Sequence, residues 1–174
     1  MRVGPHYHLT KIPFTAKDIG KLEDAKTLGS SGYTVRDSEI SWINDKPTLN
    51  KFLEFTKDIN ATTGWNFDID AIEPLQYTEY KSDGQYGWHI DQSSKPYADG
   101  RIRKISFSLI LNDEFEGGEF DLEYEHPNKN PRHATFCLGK NEVIFFKSDY
   151  WHRVNPVKSG IRKSLVGWIL GKKV

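Results

Sequence analysis

The sequence predicts a mainly β protein, a sandwich or jelly roll of about seven or eight antiparallel strands with helices packed outside one sheet. Three observations carry that expectation. From Asp68 onward the chain is a series of short runs rich in β-branched and aromatic residues, separated by clusters of Gly, Asn, Asp and Pro. Helical periodicity is confined to the first third. No repeat, low-complexity tract or linker divides the chain, and 174 residues suffice for one sizeable core but not for two comfortable ones. A single domain over residues 1–174 is expected, with 1–66 as helical and strand support and 67–174 as the β core.

Thr15 is placed to cap a helix running through Ile19 and Leu22 toward Leu28, with Gly29 as its stop. Tyr33 to Ile43 alternates as a strand. Pro47 to Asn60 reads as a second helix, because proline suits a first turn and Leu49, Phe52, Leu53 and Ile59 fall near one face. Strands are then expected at Ile69–Tyr80, Tyr86–Ile90, Ile102–Leu111, Glu119–Tyr124, Ala134–Leu138, Val143–Phe146 and Ser164–Leu170. Between Ile105 and Leu111 the odd positions are apolar and Ser106 and Ser108 face the other way, the pattern of a strand with one core face. Gly117-Gly118 marks a turn.

Lys plus Arg (24) balances Asp plus Glu (24), so no global field steers the chain toward nucleic acid or an anionic membrane. No window has the apolar length of a membrane span, and the first residues lack a signal-peptide core; a reducing, cytoplasmic setting is expected. The single cysteine, Cys137, sits in the apolar run Ala134–Leu138 and reads as a buried structural thiol. His6, His8, His126 and His133 read as surface residues.

The chemistry-bearing residues lie elsewhere. His89 and Asp91 are two apart, so on a strand both project from one face. His152 follows the apolar strand Val143–Phe146 across the turn Lys147–Trp151. Two imidazoles and one carboxylate on one side of a metal leave the other side open, the arrangement of non-haem iron(II) oxygenases. Alone, His-x-Asp is a weak signal. Arg162 and Ser164 add to it: they share one side of the next strand, where a guanidinium fork and a hydroxyl could seat the far end of a dicarboxylate. Trp88 and Trp151 directly precede two of the candidate ligands and could shield a metal.

From Gln76 to Trp168 the chain resembles the prolyl-4-hydroxylase-like branch of the 2-oxoglutarate and iron(II)-dependent oxygenases. The resemblance lies in Tyr80, Gly84, Tyr86 and His89-Ile-Asp91, in Arg103 to Asn112, and in Glu116-Gly-Gly-Glu119. It continues through Phe145-Phe146, His152-Arg-Val154, Pro156-Val157, Gly160-Ile-Arg162 and Gly167-Trp168. It implies a double-stranded β-helix core, iron(II) on His89, Asp91 and His152, and the distal carboxylate of 2-oxoglutarate on Arg162, with Tyr80 and Ser164 as hydroxyl donors. Tyr86 and Trp151 would line the substrate's side of the site. Dioxygen is the oxidant, ascorbate a supporting reductant, and 2-oxoglutarate leaves as succinate and carbon dioxide.

The resemblance further implies hydroxylation of a proline in a polypeptide, with the loops Gln92–Arg101 and Glu125–His133 walling a groove. Free proline or another small metabolite is the alternative substrate, and a non-catalytic metal-binding jelly roll the alternative outside enzymology. A nucleic-acid demethylase would carry a second arginine where Trp168 stands. Some family members have a further tyrosine late in the strand ending Leu111-Asn112; Leu109 and Ile110 occupy its surroundings here, which leaves the second hydroxyl donor open.

Overall fold

A computed structural model of the protein describes residues 2–3, 6–14, 18, 23–28, 36–124 and 132–173. The chain begins with strands β1 (Arg2–Val3), β2 (Tyr7–Lys11), β3 (Glu23–Leu28) and β4 (Arg36–Ile43), followed by the helix α1 (Lys46–Thr62). Then come β5 (Ala71–Ile72), β6 (Leu75–Tyr80), β7 (Gln85–His89), β8 (Arg101–Ile110), β9 (Phe115–Gly117) and β10 (Phe120–Glu123). The last five are β11 (His133–Phe136), β12 (Glu142–Lys147), β13 (His152–Val154), β14 (Val157–Gly160) and β15 (Arg162–Lys172). Hydrogen bonds join the strands in the order β1-β2-β12-β8-β15-β6-β4-β7-β13-β10-β11, with β3 on β4, β5 on β15, and β9 paired separately with β14.

The curl of this antiparallel sheet makes the expected jelly roll. Its corner is β4: Glu39–Ile43 pair with β6, whereas Arg36 and Asp37 pair with Tyr86 and Gln85 of β7. One strand thereby serves both a larger sheet and a smaller one, as strands do where two layers meet. The faces of β8 show how sequence sets the layering. Ile105, Phe107, Leu109 and Leu111 turn outward into a core shared with Leu49, Phe52 and Ile59 of α1. Ile110, by contrast, turns inward to a second cluster with Tyr80, Phe120, Leu122, Phe146 and Val154 between the sheets.

Helix α1 forms for local reasons, of which the sequence reading gave the first-turn proline and the apolar face, and the structure adds the cap. Asp45 caps it, accepting from the Thr48 amide (3.1 Å) and hydroxyl (2.6 Å), with Pro47 in the first turn. Its Phe52 lies edge-on to Phe14 and stacks on Phe107, both at 5.2 Å.

Four expectations are corrected. The helix expected from Thr15 to Leu28 falls partly outside the described residues, but Glu23–Leu28 is a strand, because pairing along β4 supplies long-range backbone hydrogen bonds that outweigh a local helical pattern. Cys137 is exposed: Phe136 and Leu138 point inward and strand alternation turns the residue between them out. His8 is buried, because β2 adds to the edge of β12 and places its ring 6.5 Å from Phe145. Ser106 and Ser108 do not face water; the second face of β8 is covered by the smaller sheet. Strands β2, β9, β13 and β14 were too short or too polar to read from pattern alone.

Candidate active site

Strands β7 and β13 run side by side with His89 directly opposite His152. Strand β7 ends at His89, so Asp91 is held differently: its amide and that of Gln92 both donate to the Ser148 carbonyl at 3.0 Å. The result gathers one ligand atom each from His89, Asp91 and His152 within 4.8 Å of one another. His89 Nε2 lies 3.6 Å from Asp91 Oδ1, and His152 Nε2 lies 3.4 Å from Asp91 Oδ2. On the far side of each ring, His89 Nδ1 donates to the Gly87 carbonyl (2.7 Å) and His152 Nδ1 to the Tyr150 carbonyl (3.0 Å). With Nδ1 of each ring held by a carbonyl, Nε2 is the atom each ring turns to the carboxylate and the one through which it could ligate a metal.

The electrostatics agree with that state. Burial, then the neighbouring His152, pulls the His89 pKa down to about 3, so the ring is neutral at physiological pH. Asp91 is held well below the usual carboxylate range by both imidazoles and by the Ser106 hydroxyl, which outweigh its burial. Ser106 donates to Asp91 Oδ2 at 2.7 Å and meets the Ser148 hydroxyl at 2.8 Å. Sequence reading missed this pair of serines: Ser106 is on β8 and Ser148 in the turn after β12, 42 residues apart, and nothing local joins them.

The three residues open onto a cavity of about 220 Å³ that also contains Tyr80, Tyr86, Arg162 and Ser164. Arg162 is the largest fully buried side chain, and its Nε donates to the Gly118 carbonyl at 3.0 Å. Its Nη2 and the Ser164 Oγ have no partner, nor does the indole Nε1 of Trp168 on the same wall. Burial lowers the Arg162 pKa to about 10, still cationic at neutral pH. A buried cation beside unpaired donors is a costly arrangement that an anion would relieve. The donor set therefore fits a carboxylate, and the His-Asp-His set fits a divalent first-row metal.

Tyr80 is buried against Arg162, 5.6 Å from guanidinium carbon to ring centre. Tyr86 stacks on His89 at 3.6 Å, nearly parallel at 7°. Trp151 is not among the lining residues; it is 47% exposed, next in sequence to His152. Trp88 faces outward onto Arg153 (4.5 Å) and His133 (5.3 Å). On the question of a second hydroxyl donor, the Ser164 hydroxyl is buried and unpaired in this cavity, as is the Trp168 indole N–H. Of the two expected groove loops, residues 125–131 lie outside the described residues.

A curled jelly roll with a buried His-Asp-His set and a cationic carboxylate seat in one cavity defines a metal-dependent oxygenase of the 2-oxo-acid type. The model of the 2OG-Fe(II) oxygenase superfamily matches residues 75–170, and the chain belongs to that superfamily. It is 36% identical over 156 residues to a PKHD-type hydroxylase of Idiomarina loihiensis, covering 87% of this chain and 67% of that protein. A PKHD-type hydroxylase of Prochlorococcus marinus is 28% identical over 163 residues, which cover 87% of this chain and 70% of that one. The fold is shared with a Trichoplax adhaerens prolyl hydroxylase solved with a hypoxia-inducible-factor peptide fragment, at a TM-score of 0.63 and 18% identity over 95% of this chain and 83% of that one. The protein is accordingly an iron(II)- and 2-oxoglutarate-dependent dioxygenase. No helix among the described residues is long and apolar enough to cross a membrane.

Proposed function

We propose that the protein hydroxylates a proline residue of a polypeptide, with iron(II) on His89, Asp91 and His152 and the distal carboxylate of 2-oxoglutarate on Arg162 and Ser164. The observation that carries the reading is the coexistence, in one cavity, of a two-imidazole and carboxylate set with buried, unpartnered donors on Arg162 and Ser164. The prolyl part is supported by relatives named PKHD-type hydroxylases and by the shared fold with a prolyl hydroxylase.

When bound, iron and 2-oxoglutarate supply the oxidising chemistry: dioxygen is reduced, 2-oxoglutarate leaves as succinate and carbon dioxide, and one oxygen atom enters a C–H bond. The chain's residues supply position and shielding. Arg162, fixed by Gly118, directs its free Nη2 to the co-substrate, while Tyr80 closes the pocket behind it. The Ser148–Ser106 hydroxyl pair fixes the Asp91 carboxylate. Tyr86 lies flat on His89 and shields that ring from water. Ile90 on the cavity lining and Trp151 beside His152 are both exposed and would offer apolar contacts to a bound chain, and proline's fixed backbone angle lowers the ordering cost of an extended segment on such a shallow surface.

In this reading residues 1–174 act as one oxygenase domain in the cytoplasm, and ascorbate sustains turnover by keeping iron reduced. The test offers the enzyme, with iron(II), 2-oxoglutarate, ascorbate and air, a set of proline-containing peptides, free proline and methylated single-stranded DNA in parallel. Gain of one oxygen atom on a peptidyl proline supports the reading. Turnover confined to free proline or to DNA would sink its substrate half.

A further inference from the structure

Resting on the co-substrate seat described above, we propose that Arg36 is the binding site for a carboxylate of the primary substrate. Arg36 sits at the corner where β4 passes from one sheet to the other, and it lines the cavity. Its guanidinium is fixed on three sides. The carbon lies 4.2 Å over the Tyr86 ring, Nε donates to Ser38 Oγ at 2.9 Å, and Nη2 donates to Gln76 Oε1 at 2.9 Å. Gln76 is itself held, because its Oε1 also accepts from the Thr78 hydroxyl at 3.2 Å.

All of these partners are neutral, and among the described residues no carboxylate pairs with Arg36. The contrast with Arg103 on the same cavity is direct, since Glu73 answers that guanidinium at 2.6 Å. Charges in the loaded site leave Arg36 over. The two charges of iron(II) and that of Arg162 are met by Asp91 and the two carboxylates of 2-oxoglutarate. Arg36 is then a held, uncompensated cation facing a confined space, and neutral supports leave its charge available to a ligand. The stack of Arg36 on Tyr86 on His89 puts this charge one ring from the metal set, close enough for a substrate's carboxylate and its reacting carbon to belong to one small unit.

Three sources would supply that group: a free acid, the C-terminal carboxylate of a peptide, or an acidic side chain next to the oxidised residue. The test uses the enzyme loaded with manganese(II), which blocks turnover, and saturating 2-oxoglutarate, so that Arg162 is occupied. N-acetyl-L-proline and benzoate are titrated by calorimetry against their amides, and acetyl-Pro-Glu-amide against acetyl-Pro-Gln-amide.

On the wild type, at least one carboxylate should bind about tenfold or more tightly than its neutral partner, the range of a charge-assisted hydrogen bond. Arg36→Gln should abolish the difference while leaving the Michaelis constant for 2-oxoglutarate unchanged in iron-loaded enzyme; Arg36→Lys should retain part of it. Which pair shows the preference identifies the source. If only benzoate is distinguished and no prolyl probe binds, the anion site stands and the prolyl reading fails. Equal binding of every pair on the wild type overturns the proposal without need of a variant. So does a preference that survives in Arg36→Gln, or a large rise in that variant's Michaelis constant for 2-oxoglutarate, which would assign the cation to the co-substrate.

Discussion

Gly118 illustrates how single residues set this site. Its φ is +65°, and a Cβ there would lie 2.7 Å from Arg162 Cδ and 3.2 Å from Val157 Cγ2, while its carbonyl anchors Arg162 Nε. Gly118→Ala should therefore push the guanidinium out of place and strain the turn by about 1 kcal/mol. The expected outcome is a Michaelis constant for 2-oxoglutarate raised about tenfold or more, with iron(II) affinity little changed. An unaltered constant would show that the arginine is not the co-substrate's anchor. Ser106 acts on the other half of the site, and Ser106→Ala removes the hydroxyl donated to Asp91 Oδ2. Groups that orient a metal's ligands change affinity by roughly 10- to 100-fold, so anaerobic iron(II) titration should show a loss of about tenfold. An unchanged affinity would reduce Ser106 to a packing residue.

At the scale of elements, the larger sheet depends on its outer cover. Phe52 of α1 is fully buried between Phe14 and Phe107, and Phe107 in turn reaches toward Phe145 at 5.4 Å. Phe52→Ala would open a cavity in the layer outside the larger sheet, at a cost of about 3–5 kcal/mol. Denaturant unfolding measures that loss, and the surviving folded protein should bind iron(II) as the wild type does. Reduced iron affinity at equal folded fraction would mean the helix positions the site as well as the sheet. Gly167 shows the same layer from β15: a Cβ there would fall 2.1 Å from the Phe107 ring, so that ring lies across β15 only because the position is bare.

For the molecule as a whole, the metal set ties stability to pH. In the metal-free protein burial holds His89 neutral down to about pH 3, whereas in the unfolded chain the ring takes a proton near pH 6.5. Between those values the unfolded state binds more protons, so this contribution to stability is full above about pH 6.5 and is lost as pH falls toward about 3. The midpoint of thermal unfolding of metal-free protein should decline through that window, and replacing His89 with a non-titrating residue should flatten the decline. A profile that His89 does not influence would show that the ring is not desolvated.

The sequence by itself determined the class: strand periodicity after Asp68 predicted a β sandwich, the amphipathic segment opened by Pro47 predicted α1, and the ordered motifs from Tyr80 to Trp168 pointed to oxygenase chemistry. These are local signals, set by alternation, a first-turn proline and short spacing, and they hold where no long-range pairing competes with them. The residues singled out by them, His89, Asp91, His152, Arg162, Ser164, Tyr80 and Tyr86, meet in one cavity. Only the tertiary structure decided what depends on long-range pairing. Strand β3 replaces an expected helical turn because β4 offers it an edge, and Cys137 and His8 exchange their expected exposures because their neighbours fix which side faces inward. The Ser106–Ser148 pair, the carbonyl of Gly118 and the neutral hydrogen-bond partners of Arg36 became visible only when segments distant in sequence were brought together, since a hydrogen bond between them is a property of position in space.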